Sequence, residues 1–156
     1  MEINIWTDGS CNNNIKFKTA LYGGWAFIAK IEDDLIHEDL NYKEETTSTQ
    51  MEMVAVIEAL KYSNKVFKGR IVNIHSDSAM VVNCFHQRWY DNWENNSYVN
   101  VKNEELWKEM ITLVHSKVNK VRFIKVKGHA GIEENERVDF LAGEARKYIL
   151  EEKGLT

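Results

Sequence analysis

The sequence predicts a mixed α/β fold, on three observations. Three β-patterned segments follow one another closely before residue 43, a long helix-patterned segment comes next, and two further strands are then separated by helical stretches. Glu2 to Thr7 sets Ile3 and Ile5 against Asn4 and ends at Asp8-Gly9-Ser10, which predicts a strand running into a turn with Asp8 at its carboxyl end. Tyr22 to Ile31, with Gly23-Gly24 and then Trp25, Phe27 and Ile28, is a second strand. Glu32-Asp33-Asp34 turns it into a third at Leu35 to Tyr42, so the first three strands are antiparallel. Dense apolar residues and good helix formers from Ser48 to about Ser63 predict a largely buried helix. At ~100° per residue, Glu52 points opposite Lys61 and away from Glu58, outside the solvated stripe.

The β-branched run Ile71-Val72-Asn73-Ile74 stops at Ser76-Asp77-Ser78, a helix N-cap signal that puts Asp77 at a strand-to-helix junction. Ala79 to Phe85 reads as a short helix, and Trp89 to Asn100 is aromatic and Asn-rich. Glu104 to Lys117 is helical, with Leu106, Trp107, Met110, Ile111 and Val114 inward. Val121 to Val126 is the fifth and last strand. The loop Lys127-Gly128-His129-Ala130-Gly131 precedes a closing helix from about Glu133 to Glu151, with Val138, Leu141, Ala145, Tyr148 and Ile149 on one side. In open sheets of this kind ligands bind beyond the carboxyl ends of the strands, where Asp8 and Asp77 are expected.

Composition bounds the setting. The 156 residues, 44% hydrophobic and 28% charged, suit one domain, 1–156, with a full core and no need of disulfides. No run of about 18 apolar residues occurs and Met1-Glu2 leads straight into Ile3-Asn4-Ile5, so the expectation is a soluble, cytoplasmic protein without a membrane partner, and a monomer. Cys11 and Cys84 lack metal-ligand spacing and read as reduced thiols. A net charge of -4 excludes broad electrostatic binding to nucleic acid, so any such contact is local.

Four acids stand where folding does not ask for them: Asp8, Glu52, Asp77 and Asp139. If they converge they repel one another unless a cation sits among them. Singly, each has a plainer reading. Asp8-Gly9 is a turn, Asp77 a helix cap, Glu52 an end-of-helix acid, Asp139 a surface partner of Arg137 or Lys147, and His129 a loop histidine.

Taken in order, Thr7-Asp8-Gly9-Ser10, Thr46-Thr47 with Met51-Glu52, Ser76-Asp77-Ser78, and Val126-Lys127-Gly128-His129-Ala130-Gly131 followed by Glu134-Asn135-Glu136-Arg137-Val138-Asp139 resemble type 1 ribonuclease H in its bacterial form. The resemblance runs from about Ile3 to Ala145. It implies a five-stranded mixed sheet, three antiparallel strands then two parallel, flanked by helices. It also implies an endonuclease that hydrolyses the RNA strand of RNA-DNA hybrids by a two-metal-ion mechanism, leaving 3′-hydroxyl and 5′-phosphate ends. Asp8, Glu52, Asp77 and Asp139 would hold two Mg²⁺ ions, with Mn²⁺ able to substitute, and His129 would aid proton transfer or product departure; Glu134 matches a family acid of less settled part. An all-carboxylate set suits these hard ions better than Zn²⁺. Gly9, Ser10 and Cys11 would meet 2′-hydroxyls, Thr47 and Asn92 a DNA phosphate, and Trp89 a deoxyribose. Trp89 reads equally as a partly buried aromatic, and Trp93 as one packed internally.

The sequence departs from the family in its basic residues. Trp89 to Asn100 holds no Lys or Arg where many bacterial members carry a lysine-rich protrusion, and it contains Asp91 and Glu94. Weaker hybrid affinity follows. The first hairpin, Asn12 to Lys18, lacks the family's glycines and prolines, and its Lys16 and Lys18 offset part of the loss. Ala79 and Ser48-Thr49 replace common polar residues. Two other classes stay open: a nuclease of the same fold acting on DNA junctions or single strands, and an inactive hybrid-binding module.

Overall fold

A computed structural model describes residues 1–12, 22–128 and 130–154. The elements run β1 (Glu2–Cys11), β2 (Tyr22–Ile31), β3 (Asp34–Glu44), α1 (Ser48–Val66), β4 (Ile71–Ser76), α2 (Ala79–His86), α3 (Trp89–Asn95), α4 (Glu104–Val114), β5 (Lys120–Lys125) and α5 (Glu133–Glu152). The expected five-stranded mixed sheet is present, in the order β3-β2-β1-β4-β5. β1, β2 and β3 pair antiparallel, while β4 lies parallel to β1 and β5 parallel to β4. No helix among the described residues is long and apolar enough to cross a membrane.

The sheet has two differently covered faces because β1 alternates. Ile3 and Ile5 join Met51, Met53, Val56 and Leu60 of α1 in the main core, which extends under α4 through Trp107 and Met110. Trp6 packs on the opposite face against Ala26, Ile28, Val138, Leu141 and Ala142, beneath α5. Two glycines seat the helices. A methyl group on Gly9 would overlap the backbone of Met51 and Glu52, and one on Gly24 would overlap the carbonyl of Ala142. α1 and α5 can therefore lie against the sheet more closely than any side chain would allow.

Several boundaries differ from expectation. β1 does not turn at Asp8-Gly9-Ser10; it continues to Cys11, paired with Gly23. The glycine read as a turn residue is a packing glycine instead. Asp8 still stands at an end of sorts, because the parallel ladder with β4 stops at Trp6 and His75. α4 ends at Val114 rather than Lys117, whose φ of 63° is left-handed and incompatible with helix. Tyr148 is exposed, not inward, and its ring lies 5.7 Å from Tyr42, where α5 passes over edge strand β3. The Asn-rich stretch forms the seven-residue α3 followed by a tight connector, in which Ser97, Tyr98, Asn100 and Asn103 take left-handed backbone and Tyr98 is buried. Lys16, Lys18 and the rest of the expected first-hairpin tip lie outside the described residues.

Candidate active site

Asp8, Glu52 and Asp77 come from three elements that meet at one edge of the sheet. Asp8 lies on the α5 face of β1, two residues beyond Trp6, and is buried. Glu52 lies in the first turns of α1, between the fully buried Met51 and Met53, and its backbone rests on Gly9. The missing Cβ of Gly9 is what lets a helix on one face deliver a carboxylate to an acid pointing at the other. Asp77 follows directly on β4 and precedes α2. Ser78, not Asp77, caps that helix: its Oγ accepts the Val81 N–H at 3.3 Å, and Ser76 Oγ accepts the Ser78 N–H at 3.1 Å. With the cap supplied by serine, Asp77 is left to the cluster.

One carboxylate oxygen from each of Asp8, Glu52 and Asp77 lies within 4.8 Å of the others. Asp139, on the second turn of α5, stands outside that tight set but reaches Asp8 through a side-chain hydrogen bond and mutual repulsion. The surface pairs open to Asp139 are not made, because Arg137 binds Glu38 at 2.9 Å and Lys147 binds Glu144 at 3.5 Å. All four sequence-predicted acids are thus brought to one edge.

The electrostatics describe a site that resists its own charge. Burial, then the Asp77 carboxylate, push Asp8 from 3.8 up to about 8, against a hydrogen bond from the Gly9 N–H at 2.9 Å. Burial and Asp77 push Glu52 from 4.5 to about 7, while Ser78 and Lys125 pull it down. Without a counter-charge, acids packed this closely keep protons at neutral pH. A hard divalent cation fits these donors: all are carboxylate oxygens, close enough to share an ion, and charged fully only when one is present.

Lys125 is a site residue that sequence reasoning passed over. It pairs in register with Ser76 at the end of β5, beside Asp77, and its Nζ donates to the Val126 carbonyl at 2.9 Å. A lysine closing the last strand of a sheet whose other strand ends carry acids was the signal.

The expected substrate residues divide. Thr47 caps α1, its Oγ1 accepting the Gln50 N–H at 3.1 Å, and lines a groove of about 750 Å³ together with Gln50, Trp89, Trp93, Lys102 and Trp107. Trp89 is half-buried with its Nε1 donating to Gln87 at 2.9 Å, so it both packs and faces the groove. Trp93 likewise packs, 5.1 Å from Trp107, while lining the groove. Asn92 is exposed on α3 and is not among the groove's lining residues. Gly9, Ser10 and Cys11 form the last stretch of β1. Past Trp6 the β4-facing side of that strand has no strand beside it among the described residues, which leaves part of its backbone unpaired in the sheet there. The Ser10 hydroxyl accepts from Arg146 Nε at 3.1 Å, and Cys11 Sγ donates to the Thr46 carbonyl at 3.6 Å. Glu134 is tied to Lys30 at 3.3 Å. His129 lies outside the described residues.

Comparison with known proteins agrees with the layout. The family model for RNase H matches residues 1–147. The chain is similar to proteins named ribonuclease H from Thermoanaerobacter sp. (38% identical over 150 residues, 93% of this chain and 90% of the relative) and from Acetivibrio thermocellus (39% over 146 residues, 90% and 92%). Among solved structures, LC9-RNase H1, a type 1 RNase H with the type 2 active-site motif, superposes with a TM-score of 0.78 at 24% identity, covering 94% of this chain and 72% of that one. LC11-RNase H1 in complex with RNA/DNA hybrid superposes with a TM-score of 0.70 at 23% identity, covering 95% and 99%. A carboxylate cluster at the strand ends of this sheet, and relatives of this identity along nearly the whole length, lead to one conclusion: the chain belongs to the ribonuclease H family of enzymes.

Proposed function

We propose that this protein is an endonuclease that hydrolyses the RNA strand of RNA-DNA hybrids, leaving 3′-hydroxyl and 5′-phosphate ends. The observation that carries the proposal is the convergence of Asp8, Glu52 and Asp77 within 4.8 Å, with Asp139 against Asp8. These four would hold two Mg²⁺ ions, or Mn²⁺ in their place. Ions held there would supply an activated water and charge relief for the departing 3′ oxygen. Every other part belongs to the protein. Asp8 is central because Asp77 and Asp139 both raise the cost of its charge. Gly9 and the backbone of Met51 and Glu52 keep it and Glu52 at fixed separation. His129, one residue beyond Gly128, hands on a proton or helps the 5′-phosphate leave. The hybrid-bound LC11-RNase H1 supports the choice of substrate.

The two strands are held on different faces. The cleaved strand lies over the carboxylates, with its 2′-hydroxyls against the open backbone of Gly9, Ser10 and Cys11. The other strand follows the groove lined by Thr47, Trp89 and Trp93, on the α1 side of the sheet, with the exposed Asn92 beside it. Stacking and sugar packing on tryptophan supply sequence-independent hold there. The test is cleavage of a labelled hybrid in Mg²⁺, in Mn²⁺ and in EDTA, beside double-stranded RNA and double-stranded DNA. Cutting confined to the RNA of the hybrid, and absent in EDTA, is expected. Cleavage that persists in EDTA, or a preference for DNA, overturns the proposal.

A further inference from the structure

A guanidinium stands on the α5 side of the site, held among the described residues by a serine hydroxyl alone. Arg146 is half-buried on α5, two turns beyond Asp139, where the helix rests on Gly24. Its Nε donates to Ser10 Oγ at 3.1 Å, and its charge is felt by the neighbouring Cys11 thiol. Among the described residues no carboxylate pairs with it, although the nearby cations Arg137, Lys147 and Lys153 all have acidic partners. Ser10 is two residues from Asp8 on the same face of β1, so the guanidinium is anchored at the catalytic edge while its terminal nitrogens keep their donors. An arginine fixed by Nε and open at its terminal nitrogens is suited to a bidentate phosphate contact.

We propose that Arg146 is a positioning residue that binds a backbone phosphate of the cleaved RNA strand, close to the scissile linkage. The inference rests on the hybrid-cleaving reading above and deepens it. The side of the site selects the strand. The tryptophan groove lies toward α1 and α3, whereas Arg146 lies across the carboxylates, over the α5 face. A strand leaving the carboxylates on that side meets Arg146 and not the groove.

The experiment compares wild type with Arg146→Ala, Arg146→Lys and Ser10→Ala on one hybrid over a range of salt. Arg146→Ala is expected to raise KM about tenfold with kcat within twofold, and to lower the slope of log affinity against log salt by roughly one. Arg146→Lys restores the salt slope but only part of the affinity, since an ammonium gives up the fork. Ser10→Ala has a smaller effect than either. A merely structural Arg146 would disturb Asp8 through Ser10 and lower kcat, without changing the salt slope. Neutral methylphosphonate linkages identify the strand. One placed near the cut in the RNA weakens wild type but not Arg146→Ala, and one placed in the DNA weakens both alike. A fall in kcat alone, an unchanged KM and salt slope, or interference confined to the DNA strand overturns the proposal. Failure of wild type to cut the hybrid is a separate result, and it overturns the underlying function.

Discussion

The carboxylate edge and the tryptophan groove lie on the same molecule but are built on opposite terms. At the edge, Asp8 and Glu52 are held where burial and Asp77 disfavour their charge, and the helices that carry Glu52 and Asp139 are seated against bare sheet backbone at Gly9 and Gly24. In the groove, three tryptophans and neutral side chains line a wide hollow in which Lys102 is the cation among the lining residues. The edge spends stability to fix a geometry that only a cation relieves, whereas the groove packs well by itself and holds by contact area. On the proposed function chemistry and grip are separable, and variants should divide along that line.

Asp8→Asn tests the edge most severely. It keeps the shape but removes the acid that two others act on, so kcat in Mg²⁺ should fall ~10³-fold, the scale of losing one dedicated charge-stabilising group, with hybrid affinity little changed. A fall in affinity with kcat preserved would erase the distinction between the regions. Gly9→Ala comes next. The added methyl meets helix backbone, not a flexible side chain, so urea unfolding should show a loss of about 3 kcal/mol along with lost activity. A variant as stable as wild type would mean that α1 is not seated on that glycine.

Trp89→Ala probes the groove. Loss of one aromatic platform should weaken hybrid binding by about 1–2 kcal/mol, seen as a higher KM at unchanged kcat. Equal loss in kcat would tie the groove to the chemistry.

The smallest effect is on the metal-free fold. In the unfolded chain Asp8 and Glu52 titrate near 3.8 and 4.5, and in the folded protein near 8 and 7. Between those limits the folded state binds more protons than the unfolded one, so stability falls as pH rises through this window. In EDTA the melting temperature should therefore be higher at pH 6 than at pH 8. Asp8→Asn should raise it at pH 8, and Mg²⁺ should flatten the difference. A melting temperature in EDTA that rises toward pH 8 would show that the acids do not repel.

Much of the site was legible because its parts are local in the chain. Asp77 between two serines at a strand end and Glu52 between two buried methionines stand out against their neighbours, and the ordered blocks around all four acids carried the family. Local patterning also misled. Asp8-Gly9 has the composition of a turn, yet the strand runs on because α1 needs Gly9 bare. Asp77 has the composition of a cap, yet Ser78 takes that role. The Asn-rich stretch did not announce the helix α3, on which Asn92 is exposed outside the groove's lining. Lys125 and Arg146 gained meaning only from what lies beside them, one strand or one helix away.

By itself the sequence determined the order of the strands and of the helices other than α3, most of the core faces and the identity of the acids, since periodicity and residue type express free energies of neighbouring positions. Tertiary structure decided which groups share a place. Asp8 and Glu52 point from opposite faces and come together only because the sheet is bare at Gly9. Arg146 meets Ser10 only because α5 rests on Gly24. Contacts between residues more than a hundred positions apart depend on helix seating and strand register, which no local pattern encodes.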